Sequence, residues 1–105
     1  MTFPVNPEEA GVPTQDTGST WWLYVVECKG GSLYTGITTD VDARYQNHLA
    51  GKGARYTRAR PPVRLLGKWP YPDKSSASKA EYRVKKMNAA DKRRLVAGEM
   101  PPPLA

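Results

Sequence analysis

Two adjacent β-strands joined by glycines constrain the fold more tightly than any other part of this sequence. Trp21 to Cys28 is a run of apolar and aromatic residues interrupted only by Glu27, which is typical of a buried strand. Gly30-Gly31 follows and marks a hairpin turn, and Ser32 to Thr38 alternates as a return strand does. The segment therefore predicts an antiparallel hairpin.

Downstream of the hairpin, the sequence predicts three helices, a long loop and a third strand. Capping residues, glycines and prolines set their ends, because these residues start or stop regular structure. The order strand, strand, helix, strand, helix, helix predicts an α+β domain, with a three-stranded, antiparallel-containing sheet flanked by helices. The predicted elements are a helix from Thr39 or Asp40 to about Ala50, a basic loop from Gly51 to Pro62, a strand from Val63 to Trp69, a turn from Pro70 to Lys74, a helix from Ser75 or Ser76 to about Met87, and a helix from Ala89 to Val96.

A chain of 105 residues is one domain's worth, and the folded part is predicted at 21–96. Residues 1–20, rich in Pro, Gly, Thr and acids, predict a disordered tail, and 97–105 predict a Pro-rich second tail. No apolar run of membrane-spanning length and no secretory signal pattern is present. A lone cysteine, Cys28, can form neither an internal disulfide nor a thiolate zinc finger, so a cytoplasmic location is expected.

The basic residues are segregated along the chain. The first 20 residues contain three acids and no Lys or Arg, although the formal net charge is +6. Between Arg44 and Lys68, both included, there are seven basic residues and no acid. A concentrated positive field attracts polyanions and predicts nucleic-acid binding. A basic surface that serves only solubility is the alternative, although solubility does not need the signs segregated.

Polar residues interrupt the packing face of the first predicted helix. Val41, Arg44, Tyr45 and His48 fall at i, i+3, i+4 and i+7, which is one face. Because Val41 and Tyr45 should point at the sheet, Arg44 and His48 are directed to the same side. An ionic residue there is costly unless it is paired or lines a cleft.

A carboxylate interrupts the second predicted helix in the same way. Ala77, Ala80 and Val84 form an apolar stripe, and Glu81 lies within it. Such a carboxylate requires a cation. The sequence leaves two candidates open: an ion pair between Glu81 and Arg44, or a bound metal ion.

Tyr24 and Tyr34 lie on the strands that these helices should cover. Tyr, Arg, His and Glu around one cleft are the groups that phosphodiester hydrolysis needs, since a carboxylate holds a hard cation, arginine stabilises phosphate charge, and Tyr or His handles protons. Residues opposed in an antiparallel pair share a face. A two-residue turn at Gly30-Gly31 would put the two tyrosines on opposite faces. We therefore predict an odd loop, such as Gly30-Gly31-Ser32, or a bulge.

The hairpin tyrosines also lie within two recognisable tripeptides. Trp22-Leu23-Tyr24 and Tyr34-Thr35-Gly36 resemble the signature of the GIY-YIG nuclease superfamily. Arg44 follows the second tyrosine by ten residues and Glu81 lies on a later helix, as in that family. The resemblance covers residues 21 to about 96 and implies the GIY-YIG endonuclease fold.

Two longer segments are similar to particular branches of that superfamily. Leu33 to Asp40 and Gly53 to Arg58 resemble the small single-domain bacterial YhbQ-like proteins and the nuclease domain of the Slx-type structure-specific endonuclease. Ile37 stands where some repair-enzyme relatives have a lysine, which removes one phosphate contact. Asn88 is a candidate for an asparagine found downstream in several relatives.

The resemblance implies a role for each member of the set. Glu81 would be the sole protein ligand of one Mg²⁺ or Mn²⁺ ion. Tyr24 would be the general base, or relay a proton to one, and Tyr34 would orient water and phosphate. Arg44 would steady the phosphate charge, and His48 matches a position near the nucleophile. Because tyrosine is a poor base at its ordinary pKa of about 10, the cation and Arg44 would have to favour its phenolate form.

Other basic residues do not all fit around one metal, and we assign them to phosphate contacts, which fix position without reading sequence. Tyr56 either stacks on a base or packs the loop. The tryptophans and Cys28 are expected in the core. The predicted nucleic-acid contacts are Lys52, Arg55, Tyr56, Arg58, Arg60 and Arg64.

The leading hypothesis is a metal-dependent endonuclease with low sequence specificity, selective for DNA structure and connected with DNA repair. A non-catalytic nucleic-acid-binding module is the first alternative, since the basic surface alone indicates only a polyanion partner. A subunit that needs a partner protein for activity or targeting is the second. DNA is expected rather than RNA.

Overall fold

The computed structural model describes residues 20–104 and has the α+β class that the sequence predicted. Residues 1–19 of the predicted N-terminal tail lie outside the described residues. Within these residues, four helices and three strands follow one another in the order strand, strand, helix, helix, strand, helix, helix. They are β1 (Trp21–Cys28), β2 (Leu33–Thr38), α1 (Val41–Leu49), α2 (Arg55–Ala59), β3 (Pro62–Tyr71), α3 (Lys74–Lys85) and α4 (Ala89–Val96).

The hairpin turn has an odd number of residues, as predicted. A single 3₁₀ turn, Lys29–Gly31, connects β1 to β2, and the backbone amide of Cys28 donates to the carbonyl oxygen of Ser32 at 2.8 Å. The three turn residues lie one position earlier than the predicted set. Gly30 and Gly31 have φ values of 89° and 86°, a region of backbone conformation in which residues with a Cβ atom are strained.

β1 is the central strand of an antiparallel sheet with the order β2-β1-β3. Alternate side chains of β1 pack into two separate hydrophobic cores, one on each face of the sheet. On one face Leu23 packs with residues of α3 and α4, including Ala80 and Leu95. On the other, Tyr24 packs with Val26, Cys28 and Val41. Helices therefore cover both faces, with α1 and α3 on opposite sides.

The predicted basic loop from Gly51 to Pro62 is not wholly irregular, because it contains the short helix α2. No side chain caps its first turn, and five residues give too few positions for a periodic pattern. Thr57, in the middle of α2, is only 1% exposed. Tertiary contact therefore stabilises this helix, which is why local sequence signals missed it.

The boundaries of two predicted elements also differ. β3 extends from Pro62 to Tyr71, beyond the predicted Val63–Trp69, because an edge strand tolerates proline at positions that need no amide. α3 begins at Lys74 because Asp73, and not a serine, caps it by accepting from the Ser76 amide.

Part of the predicted C-terminal tail lies against the domain. Met100 packs against the core on the α3 face. The hydroxyl of Tyr71 donates to the carbonyl oxygen of Pro103 at 2.6 Å. Among residues 20–104, no helix is both long and apolar enough to cross a lipid bilayer.

Candidate active site

A cleft of about 280 Å³ opens at the β2 edge of the sheet, where α1 and α3 approach from opposite faces. It brings together all five residues that the sequence nominated for catalysis. The lining also includes two glycines of the sequence motifs and the loop that leads into α2. The full lining is Tyr24, Tyr34, Gly36, Ile37, Arg44, His48, Lys52, Gly53, Ala54 and Glu81.

The two hairpin tyrosines share one face of the sheet. In the β1–β2 register, Tyr24 opposes Gly36 and Val26 opposes Tyr34, so the tyrosines lie two positions apart on the same side. Their ring centroids are 6.3 Å apart and the rings are tilted by 51°. The odd turn therefore produces the pairing on which a shared cleft depends.

Helix α1 delivers Arg44 and His48 to the cleft from one face. Asp40 caps the helix by accepting from the backbone amide of Ala43 at 3.0 Å, which fixes where the helix begins. Val41 is buried against the sheet, and His48, two turns later on the same stripe, is 2% exposed. Because Val41 packs against the sheet, Arg44 and His48 on the same helix face are directed into the cleft.

A hydrogen-bonded series connects Tyr24 to Thr57, which lies behind the cleft lining. The hydroxyl oxygen of Tyr24 lies 2.9 Å from Nε2 of His48. On the other side of the ring, Nδ1 of His48 lies 2.8 Å from Oγ1 of Thr57. The Thr57 hydroxyl in turn donates to the carbonyl oxygen of Ala54 at 2.9 Å. Four groups from β1, α1, α2 and the preceding loop are therefore linked.

Burial keeps the first two members of this series neutral. Burial raises the pKa of Tyr24 well above its ordinary value, Tyr34 and Glu81 add to that rise, and Arg44 opposes it. Burial, and then the nearby Arg44 cation, lower the pKa of His48. Desolvation of Tyr24 therefore outweighs the attraction of Arg44, so Arg44 alone does not favour the phenolate form. The part of the expectation that depends on a bound cation stays a prediction.

Two glycines make room for these side chains. A Cβ atom on Gly36 would lie 2.6 Å from the hydroxyl oxygen of Tyr24. A Cβ atom on Gly53 would overlap Nδ1 of His48. Only glycine lets the backbone approach so closely. Both glycines lie within the sequence motifs, but no local signal gives either of them a role, because each approaches a side chain that belongs to another element.

Glu81 reaches the cleft from α3, at the margin of the buried stripe formed by Ala77, Ala80 and Val84. Its side chain is 23% exposed, and its carboxylate forms an ion pair with Nζ of Lys85 at 3.1 Å. Arg44, the cation that the sequence offered as a partner for Glu81, lines the same cleft.

The donor set suits a hard cation held by few protein atoms. Within residues 20–104, no three His, Cys, Asp or Glu side chains come close enough to form a metal cage. A tetrahedral zinc site of protein ligands does not fit that arrangement. Mg²⁺ does fit, because it keeps several waters and is commonly bound by one or two carboxylates plus substrate phosphate oxygens. Glu81 is the carboxylate available in the cleft.

The nucleic-acid contacts predicted from sequence fall into two groups. Lys52 lines the cleft, and the short helix α2 next to it carries Arg55, Tyr56 and Arg58. The Tyr56 ring stacks on Tyr34, with centroids 5.9 Å apart and 24° between planes, and remains 38% exposed. Tyr56 therefore packs within the site and keeps an accessible surface, so the two sequence interpretations are compatible.

Arg64 and Arg60 lie away from this group. Arg64, on β3, donates from Nε to the Glu27 carboxylate at 2.7 Å and is 69% exposed in its side chain. Arg60 follows α2 and borders a surface depression with Lys29 and Gly30 at the hairpin turn. The cleft lining does not include either arginine.

Three further residues named in the sequence analysis stabilise the fold. Asn88 caps α4 by accepting from the backbone amide of Asp91 at 2.8 Å. Cys28 is buried, and burial raises the pKa of its thiol, which suits core packing and not nucleophilic chemistry. Trp22 packs against the Tyr24 core, with Nζ of Lys68 4.9 Å from its ring centroid.

Comparison with known proteins gives a consistent result. A family model described as the GIY-YIG catalytic domain matches residues 20–94. A UPF0213 protein of Cupriavidus pinatubonensis is 58% identical over 72 residues, which are 69% of this chain and 80% of that protein. The UPF0213 protein YhbQ of Escherichia coli is 48% identical over 77 residues, 73% of this chain and 77% of that one.

A solved structure is similar over the same region. The solution NMR structure of the UPF0213 protein BH0048 from Bacillus halodurans aligns with a TM-score of 0.50 at 48% sequence identity. The alignment covers 76% of this chain and 85% of that one.

Proposed function

Because the chain belongs to the GIY-YIG family, a family of nuclease-type domains, we propose that it is a metal-dependent endonuclease that hydrolyses phosphodiester bonds. The observation that carries the proposal is the convergence of Tyr24, Tyr34, Arg44, His48 and Glu81 on one cleft. A protein that only bound nucleic acid would have no evident need for a carboxylate beside the path of a polyanion.

Glu81 would hold one Mg²⁺ or Mn²⁺ ion, together with phosphate oxygens and water. When bound, such an ion supplies positive charge next to the reacting phosphate and lowers the pKa of water. Lys85, the present partner of the Glu81 carboxylate, is half exposed and free to turn toward solvent or phosphate when a metal takes its place.

Tyr24 and His48 would handle the proton of the attacking water. Since the phenol of Tyr24 is protonated, it accepts a proton from water only while passing its own to an acceptor. Nε2 of His48, 2.9 Å away on an imidazole kept neutral by burial, is that acceptor. The proposal therefore assigns Tyr24 the relay role and His48 the role of base.

Arg44 and Tyr34 would act on the phosphate. The guanidinium of Arg44 lines the cleft with Glu81, where it neutralises charge that develops on the phosphate oxygens as water adds. The ring of Tyr34 contacts the rings of Tyr24 and Tyr56, and its centroid lies 5.3 Å from that of His48. From this position Tyr34 would orient water and phosphate. Proximity and orientation of this kind supply much of the rate enhancement in such sites.

The basic residues beside the cleft support a nucleic-acid substrate contacted through its backbone, and DNA is inferred from the family to which the chain belongs. Lys52 at the cleft and the arginines of α2 would bind phosphates, which favours selection by DNA structure over selection by sequence. Arg60 and Arg64 would extend these contacts beyond the cleft. A chain with one cysteine, which lies buried, can form no internal disulfide, and this is the ground on which a reducing cytoplasm is proposed as the place of action.

Cleavage assays with Glu81→Ala test the function. The pure protein is incubated with branched, flapped, single-stranded and double-stranded DNA, and with RNA, with and without Mg²⁺ or Mn²⁺. We expect metal-dependent cleavage that Glu81→Ala abolishes while binding is largely retained, and that Glu99→Ala, an exposed carboxylate on another segment, leaves unchanged.

Two outcomes would contradict the proposal. Cleavage retained by Glu81→Ala would overturn the metal assignment. Salt-sensitive binding to the panel without cleavage of any member would favour the non-catalytic binding module, or a subunit that becomes active only with a partner protein.

A further inference from the structure

Thr57 is a buried polar residue to which neither the sequence motifs nor the proposed reaction assigns a task. It lies on α2, behind the cleft and not in its lining, and is 1% exposed. Its hydroxyl contacts His48 and the carbonyl oxygen of Ala54, at 2.8 Å and 2.9 Å. A buried hydroxyl with both contacts made constrains the direction of each hydrogen bond.

The directions follow from the number of protons available. A carbonyl oxygen can only accept, so the single proton of the Thr57 hydroxyl is donated to Ala54. Oγ1 is then an acceptor toward Nδ1 of His48, which must carry a hydrogen. In a neutral imidazole only one nitrogen is protonated, so Nε2 has a lone pair directed at the hydroxyl of Tyr24.

We propose that Thr57 is a positioning residue that holds His48 in the Nδ1-protonated tautomer and thereby makes Nε2 the acceptor for the Tyr24 proton. Only the catalytic consequence rests on the proposed nuclease function; the tautomer rests on the hydrogen bond that the Thr57 hydroxyl donates to Ala54. The other tautomer would point an Nε2 hydrogen at Tyr24, and the relay from Tyr24 to His48 would be blocked.

Neighbouring residues restrict the rotation and displacement of the His48 imidazole. Gly53 lies so close to Nδ1 that a Cβ atom there would overlap it. Tyr34 packs against the ring edge-on, with centroids 5.3 Å apart. The imidazole is therefore held with each nitrogen against one hydroxyl, and the identity of the group beside Nδ1 decides the tautomer.

The chain contains one histidine, so the tautomer can be read directly. In ¹⁵N-labelled protein at neutral pH, a long-range ¹H–¹⁵N spectrum has one imidazole, and its two nitrogen shifts identify which nitrogen is protonated. We expect protonated Nδ1 in the unmodified protein. Thr57→Val, which keeps the shape and removes the hydroxyl, should shift the population toward protonated Nε2.

Thr57→Ser is the matched control because it keeps the hydroxyl. We expect it to retain protonated Nδ1 and cleavage close to that of the unmodified chain, while Thr57→Val lowers kcat at least about tenfold with little change in KM. Rescue by serine separates a positioning role from simple filling of space, since valine fills the site at least as well as serine does.

The results that overturn the inference do not depend on cleavage. Protonated Nε2 in the unmodified protein refutes it, and this measurement stands even where Thr57→Val does not fold. Unchanged nitrogen shifts in folded Thr57→Val also refute it. If no nuclease activity is found but the shifts behave as expected, the proposed function fails and the positioning role of Thr57 remains.

Discussion

The hydroxyl of Tyr24 lies 2.9 Å from Nε2 of His48, and each side chain is 2% exposed. Burial raises the pKa of the phenol and lowers the pKa of the imidazole, so both groups are neutral at pH 7. Transfer of the phenol proton to the imidazole would leave a buried phenolate, so it is favoured when the phenol receives another proton at the same time. The proposed relay requires this coupling to the arrival of a water molecule in the cleft.

Removing the Tyr24 hydroxyl should break that coupling. Tyr24→Phe keeps the ring that packs against Val26 and Val41, so we expect a folded protein. General acid–base catalysis of this kind contributes about 10²–10⁴-fold, and kcat should fall within that range. Steady-state cleavage assays measure it, with Tyr82→Phe, an exposed tyrosine on α3, as the control. A Tyr24→Phe rate near that of the unmodified protein would contradict the relay.

The lowered pKa of His48 predicts how activity and stability vary with pH. An unfolded histidine takes up its proton near pH 6.5, whereas folded His48 does so at lower pH. The unfolded state therefore binds more protons between the two values, and the free energy of unfolding should fall as pH decreases below about 6.5. Cleavage, which needs neutral His48, should decline over the lower part of that same range.

Urea unfolding and an NMR titration of the single imidazole check this prediction together. His48→Phe lacks the titrating group and should lose this component of the pH dependence of unfolding. An imidazole titration midpoint at or above about 6.5 would show that burial does not disfavour the charged ring.

Local signals predicted those parts of the fold that depend on nearby residues. Side chains alternate between the two faces of a strand, so the number of turn residues decides whether Tyr24 and Tyr34 lie on the same face. An odd turn could therefore be predicted without knowing its type. Asn88 lies immediately before α4, whose predicted limits match the structure. In both cases the deciding interactions lie within a few residues of one another along the chain.

What sequence reasoning missed depends on contacts between elements. Helix α2 has no side-chain cap, and its central residue, Thr57, is buried against His48 on α1. The pairing of Glu81 with Lys85 was missed for a different reason, because the two residues lie four positions apart on α3, a local spacing that predicts such a pair.

Two arginines allow a test of which basic residues contact nucleic acid. Arg58 on α2 and Arg64 on β3 are both exposed, but Arg64 bonds to Glu27. Arg58→Gln should reduce the slope of log K against log salt by about 1, as loss of one phosphate contact does. Arg64→Gln should reduce it less, because the Glu27 carboxylate offsets its charge. Binding measured at several salt concentrations distinguishes the two variants. Equal slopes for both would contradict the expectation that Arg58 contributes more to phosphate binding than Arg64 does.

A double-mutant cycle can test whether Gly53 exists to admit His48. A Cβ atom at position 53 would overlap Nδ1 of the imidazole, and forcing an extra carbon into a packed site typically costs about 1–3 kcal/mol. Gly53→Ala should therefore lower the free energy of unfolding by that amount and displace the ring from Thr57 and Tyr24. In the His48→Ala background the same substitution should cost much less, because the overlapping ring is gone. If Gly53→Ala costs the same in both backgrounds, the glycine is needed for its own backbone conformation and not for its approach to His48.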